Sequence, residues 1–244
     1  WNKIVELGWT GIRIPEEYSG LGLGHLELCV IAEELGRFLA PVPFSSSVYL
    51  FTEAIINYAN EDIKKEILPK LVSGEVIGTL AVAENLQAPT ADNISLQSDN
   101  NILNGKKIAV PDAEIATHAI VVAKTSSGIS LQLVDLNADG VKIEKQENID
   151  ESRGYFSILF ENSPSKLIGD ETGGWDLYEA LMNQAAVLFG YEQIGGSQAA
   201  LDMAINYSKE RYAFGRQIGS FQAIKHKLAD MYIALTLAIS NCYY

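Results

Sequence analysis

The run ERYAFGRQIGSFQAIKHKLADM at residues 210–231 constrains this chain more than any other stretch. Upstream of it, Leu201, Ile205 and Ser208 continue a helical pattern that begins near Tyr178. Downstream, Phe221, Ile224, Leu228, Met231 and Leu235 step by three and four residues and so share one helical face. Between them, Phe214-Gly215-Arg216-Gln217-Ile218-Gly219 breaks the pattern with two glycines, which reads as a helix–helix connection. The same short stretch carries Arg211, Arg216, Gln222, Lys225 and His226. In a chain of net charge −13, that gathering of cationic and amide groups reads as an anion-binding corner.

Bulk properties narrow the function classes. A length of 244 residues allows one large domain or two to three small ones. The 48% hydrophobic and 20% charged content is globular. No apolar run reaches the roughly 18 residues that a bilayer span needs. The acidic balance, with a pI near 4.6, argues against a nucleic-acid partner, which wants a basic face. Cys29 and Cys242 lie far apart with neither metal nor disulfide spacing, so a reducing cytoplasm is expected. His25, His118 and His226 are scattered, and no metal site is expected. No signal peptide is expected. The chain opens at Trp1 without a Met and is still helical in pattern at Tyr244, so a longer protein is expected.

Three domains are expected, in an α+β multidomain arrangement. Residues 1–75 read as an N-terminal helical domain. A loop punctuated by Pro15, Gly20, Gly22 and Gly24 leads into helical runs at 26–39, 47–59 and 61–73; Pro41 and Pro43 stop the first, and Gly74 ends the last. The three loop glycines read as a plain connection, since no strand precedes them. Residues 76–165 read as a small antiparallel β-barrel. Its parts are a strand-like run at 76–83, a hairpin at 92–111 that turns at Asp99-Asn100-Asn101 and carries a further Asn104-Gly105 turn signal, a hairpin tipped by Ser126-Ser127-Gly128, and a strand with Phe156, Ile158 and Phe160 on one face. Residues 166–244 read as the start of a C-terminal helical bundle. Its first helix, at about 176–211, is apolar on most sides and is expected to be buried.

The run at 210–231 resembles the signature of the acyl-CoA dehydrogenase family of flavoenzymes, as do the Gly-rich loop GWTGIRIPEEYSGLGLG and the helix–barrel–helix order. EELGRFLAPVPF further resembles the branch acting on steroid side chains and other bulky acyl groups, as does the turn Ile149-Asp150-Glu151-Ser152-Arg153. The resemblance implies α,β-dehydrogenation of an acyl-CoA thioester with FAD as cofactor. It implies that Arg211 and Gln222, with Phe221 between the helices, contact the FAD pyrophosphate, usually that of a neighbouring subunit. It places Val82, Ala83 and Thr90, and Ala109, Val110 and Pro111, against the flavin ring. It also implies an electron-transfer flavoprotein-like acceptor and a homodimer, a tetramer or a heteromer with a related subunit.

Several of these positions depart from the family pattern. Where the family reads V-T-E-P-G-x-G-S-D, this chain has Val82-Ala83-Glu84-Asn85-Leu86-Gln87-Ala88-Pro89-Thr90-Ala91-Asp92, so a flavin-bonding Thr is Ala83 and two glycines are Leu86 and Ala88. Thr90 stands in for the Ser after an inserted residue. The family's W-I-T/S is Ala109-Val110-Pro111, and Pro111 brings neither hydroxyl nor N–H. The catalytic base is expected beyond Tyr244. The alternative family position on the first long bundle helix is Ala185 here, and Glu179 and Glu192 are out of register with it. The leading expectation is an acyl-CoA dehydrogenase. The alternatives are a non-catalytic partner subunit of a heteromeric dehydrogenase, motivated by Ala83, Ala109 and Pro111, and an acyl-CoA oxidase.

Overall fold

The computed structural model describes residues 1–150 and 152–243. The chain divides into two compact units, Trp1–Gly24 with Pro41–Ala185, and His25–Ala40 with Ala186–Tyr244.

The first unit opens with a short helix α1 (Asn2–Glu6) and two single 3-10 turns. The run expected as one α-helix at 47–59 is instead a π-helix, Ser45–Thr52, followed by α3 (Glu53–Tyr58). Every residue of the π-helix is buried, and its hydroxyls must therefore find partners. Thr52 Oγ1 donates to the Ser47 carbonyl five residues back at 2.8 Å, which matches the wider π spacing. Ser46 Oγ donates to Asp112 Oδ2 at 2.6 Å, and Ser47 Oγ accepts from the Gly78 N–H. Next, α4 (Glu61–Val72) starts at Asn60, whose Oδ1 accepts from the Ile63 N–H at 2.9 Å. Its Ile63, Ile67, Leu68 and Leu71 are buried, as their spacing implies.

The β part is one sheet of eight strands: β1 (Gly78–Ala81), β2 (Gln97–Asp99), β3 (Ile102–Pro111), β4 (His118–Lys124), β5 (Ile129–Asp135), β6 (Val141–Lys145), β7 (Tyr155–Pro164) and β8 (Lys166–Ile168). The order is β6-β7-β3-β2-β4-β5-β8, with β1 also on β4. Pairing is antiparallel except where β4 meets β1 and β2. The β4–β5 hairpin turns at Ser126-Ser127-Gly128 as expected. Asn104-Gly105 is not a turn but part of β3, facing Glu161 and Phe160 of β7 across a register shift. The β2–β3 hairpin turns at Asn100-Asn101, within the expected Asp99-Asn100-Asn101 turn; both have positive φ, because asparagine tolerates the left-handed region. A Cβ on Gly78 would lie 1.9 Å from the Phe51 ring, so the π-helix packs on β1 only because that side chain is absent. Leu103, Val110, Val121, Val134, Phe156, Ile158 and Phe160 fill the sheet's main core. The strand β5 is buried on both faces, so the alternation of Ile129, Leu131 and Leu133 does not mark an exposed side; Ser130 and Gln132 bond to one another instead.

The second unit contains α2 (His25–Arg37), the larger part of α5 (Gly174–Glu210), a two-stranded ribbon of β9 (Tyr212–Ala213) and β10 (Arg216–Gln217), and α6 (Gln222–Tyr243). The helix expected at 26–39 stops at Arg37, ahead of the prolines. Leu39 turns left-handed at φ +46, and the Leu39 and Ala40 N–H groups donate back to Gly36 and Leu35. Where α2 crosses α5, a Cβ on Gly36 would lie 1.9 Å from the Glu192 carbonyl oxygen, and one on Gly195 1.9 Å from that of Glu33. The expected burial of α5 is met along Leu181, Ala185, Leu188, Tyr191, Ile194 and Leu201, while Val187, Met203 and Tyr207 are exposed. No helix among the described residues is long and apolar enough to cross a membrane.

Candidate functional site

In the first unit, the residues expected to face a flavin ring gather at a bulge in β3. Pairing with β7 slips between Lys107 and Val110, and Ala109 adopts φ +51. The bulge turns Ala109 outward and leaves Val110 in the core. The Ile108 N–H donates to the Ala83 carbonyl at 2.8 Å, which ties the chain after β1 to β3. Pro111 O accepts from Thr79 Oγ1 at 2.6 Å. Val82, Ala83, Ala109, Val110 and Pro111 are thus brought together. Thr90 is not joined to them by any hydrogen bond among the described residues; it is exposed, and its N–H donates to Asn93 Oδ1 at 2.8 Å.

An ion pair that sequence reasoning missed holds this wall. The Lys107 side chain is wholly buried, and its Nζ donates to Glu84 Oε1 at 2.8 Å and to the Val82 carbonyl at 2.9 Å. Glu84 also accepts from the Ser95 N–H and hydroxyl and from the Leu96 N–H. Burial draws Lys107 down to about 8, partly opposed by Glu84. For Glu84, burial pushes the carboxyl up, but Lys107, Ser95 and Leu96 together outweigh it and hold it below the usual range. Both groups are charged at neutral pH. A signal was present in the sequence: with Leu103 and Val110 in the core, a lysine at an inward register of β3 needs a buried carboxylate.

Beside the bulge lies a cleft of about 450 Å³, lined by Leu86, Ile108, Ala109 and Tyr155 and by the polar Gln146, Glu147, Asn148 and Asp150. That volume is within the range of small-molecule sites, about 300–1,000 Å³. Gln146 Oε1 accepts from the Ala109 N–H at 2.8 Å. In the turn at 149–153, Asp150 accepts from the Ser152 N–H and hydroxyl; these bonds and the nearby Arg153 charge hold its carboxyl below the usual range, and Arg153 also donates to the Ser45 hydroxyl; Glu151 lies outside the described residues.

In the second unit, the expected helix–helix connection is a β-hairpin. Phe214 and Gly215 both have positive φ, at +52 and +78, the pattern of a two-residue type I′ loop. The Ile218 N–H donates to the Arg211 carbonyl at 2.8 Å and closes the ribbon's base. The Arg216 guanidinium sits 4.1 Å over the half-buried Phe221 ring, which Phe214 meets edge-on at 6.3 Å. Arg216 is therefore engaged. Arg211 and Gln222 are exposed, and neither side chain has a hydrogen bond or ion pair among the described residues. Gln222 opens α6, whose N-terminal N–H groups add positive potential, with exposed Lys225 and His226 in the next residues. The corner can bind a phosphate-type anion.

No carboxylate stands at the alternative base position: Ala185 is buried, and the adjoining Gln184 donates to Glu53 Oε2 at 2.7 Å. Glu53 is fully buried and also pairs with Arg13 at 2.8 Å, so its oxygens are committed. No His, Cys, Asp or Glu cluster among the described residues is arranged to hold a metal.

Residues 1–75 match the family model "Acyl-CoA dehydrogenase, N-terminal domain", and residues 172–244 match "Acyl-CoA dehydrogenase, C-terminal domain". Isovaleryl-CoA dehydrogenase, mitochondrial, of Pongo abelii is 34% identical over 96% of this chain and 60% of its own length. The probable acyl-CoA dehydrogenase YngJ of Bacillus subtilis is 30% identical over 98% of this chain and 67% of its own length. The butyryl-CoA dehydrogenase of Megasphaera elsdenii superposes with a TM-score of 0.93 at 25% identity, over 99% of this chain and 68% of its own. The chain therefore spans about three fifths to two thirds of these relatives.

Proposed function

Because the chain belongs to the acyl-CoA dehydrogenase family, we propose that it works as a FAD-dependent oxidoreductase that introduces an α,β double bond into an acyl-CoA thioester. The observation that carries this reading is the exposed, unengaged pair Arg211 and Gln222, one at the base of the 212–217 hairpin and the other at the positive end of α6. In this reading residues 1–75, 76–165 and 166–244 serve as helical, β and bundle domains. Arg211 and Gln222 hold the FAD pyrophosphate, with Phe221 fixing the corner's shape. Val82, Ala83, Ala109 and Pro111 form the wall against the ring, Val110 anchors that wall from the core side, and Thr90 belongs to its outer loop. Bound FAD supplies the hydride acceptor. The residues fit the group in part: the cleft beside Ala109 is open, but Ala83 and Pro111 offer no hydroxyl. The base that takes the α-proton comes from outside residues 1–244. Electrons leave to an electron-transfer flavoprotein-like acceptor, and the acyl group is of the bulky, steroid-side-chain kind that EELGRFLAPVPF resembles. Free Cys29 and Cys242 accord with a reducing cytoplasm.

A second reading, a non-catalytic subunit that lends Arg211 and Gln222 to a partner's flavin, is favoured by the lost donors at Ala83 and Pro111. Each lost neutral hydrogen bond weakens ring binding by about 1 kcal/mol. The visible spectrum of the full-length gene product, purified without added flavin, separates the two. About one FAD per chain, bleached anaerobically by an acyl-CoA, is the expected result. A colourless, folded protein that takes up no added FAD overturns the first reading in favour of the second. Rapid reoxidation by oxygen in place of an electron-transfer protein points to an oxidase.

A further inference from the structure

Gln146 lies at the end of the β6 line, where its own N–H donates to the Tyr155 carbonyl at 2.9 Å. Its side chain reaches the bulge and accepts the Ala109 N–H. That bond decides the amide's orientation, because only the oxygen can accept from an N–H. The Nε2 hydrogens therefore point away from Ala109 and have no partner among the described residues. They lie at the rim of the cleft whose walls are Leu86, Ile108, Ala109 and Tyr155. The amide thus presents a fixed, unspent donor beside the wall where Ala83 and Pro111 bring no hydroxyl.

We propose that Gln146 is a binding residue for the flavin ring, its Nε2 donating to an acceptor on the ring edge and replacing the donors absent at Ala83 and Pro111. The inference rests on the FAD reading above. The Ala109 bulge is what makes it possible: its outward N–H pre-orients the amide, so little rotamer freedom is lost on binding. An ordinary β-strand register would have spent that N–H on β7.

The test uses the full-length protein, freed of flavin, and titrates FAD and ADP by fluorescence quenching and calorimetry. ADP carries the pyrophosphate end and no ring. Gln146→Glu keeps the acceptor for the Ala109 N–H and removes the donor; Gln146→Ala removes both. The expected result is a fivefold to tenfold weaker FAD affinity in both variants with ADP affinity unchanged, the size of one neutral hydrogen bond. Unchanged FAD affinity in Gln146→Glu, beside a wild type that binds FAD, overturns the role of Gln146 and leaves the FAD reading intact. Equal weakening of FAD and ADP overturns it too, since a general structural effect then explains the loss. A wild type that binds ADP but not FAD overturns both.

Discussion

At the scale of single residues, Lys107 is the least replaceable side chain of the β wall. It is wholly buried, and its ammonium joins Val82 and Glu84 to β3. Removing one partner of a buried pair leaves the other charge stranded, at a cost of about 3–5 kcal/mol. Glu84 retains the Ser95 and Leu96 donors, so the lower end applies. Lys107→Met is expected to lose about 3 kcal/mol in urea unfolding. Adding Glu84→Gln should recover part of that, and strict additivity would show that the two groups do not act as a pair. The same pair has a pH signature. The carboxyl of Glu84 titrates lower in the folded than in the unfolded chain, so its contribution is complete above the ordinary carboxylate range. It is lost as pH falls below about 4.5, and Glu84→Gln should flatten the acid side of the stability profile. The sequence displayed Lys107 and Glu84 but not their meeting, because 23 residues separate them and only the β1–β3 contact closes that gap.

At the scale of elements, the α2–α5 crossing depends on absent side chains. The backbones approach so closely that a Cβ on Gly195 would overlap the Glu33 carbonyl. Alanine is by itself the better helix former by about 1 kcal/mol. Gly195→Ala should nevertheless lower stability by about 2 kcal/mol, since overpacking forces the helices apart. Gly190→Ala on the same helix is the control; its Cβ would meet only Cys242 Sγ at 3.5 Å, and its melting temperature should hold or rise. Equal shifts for both variants would remove the packing argument. Helix and strand positions were largely legible because buried faces repeat at their own period, as in α4 and in the β4–β5 hairpin. The hairpin at 212–217 was not. Two glycines mark a break between helices, but whether the break forms a loop or a ribbon depends on the φ of Phe214 and on the Arg211–Ile218 bond. The strand β6 was also missed, although Val141 and Ile143 alternate with lysine and glutamate as an edge strand should.

At the scale of the whole molecule, the second unit leaves Val187, Met203, Tyr232, Ile233 and Leu237 substantially exposed. Apolar surface of that kind is ordinarily covered, by further helices of a longer chain or by a partner subunit. Light scattering on the full-length gene product should report a dimer or a dimer of dimers, and a stable monomer at micromolar concentration would exclude assembly through this surface. By itself, the order of residues at 210–231, together with the change from helical to alternating periodicity and back, determined the domain order and the resemblance to a flavoenzyme family, because these are local patterns written along the chain. It also showed which hydroxyls are missing at Ala83 and Pro111. Only the tertiary structure decided which polar groups stand near them. The bulge at Ala109, the amide of Gln146 turned toward it, the buried Lys107–Glu84 pair and the freedom of Arg211 while Arg216 stacks on Phe221 all arise between residues distant in sequence or from backbone angles. No one-dimensional pattern encodes which donors the fold spends internally and which it leaves for a ligand.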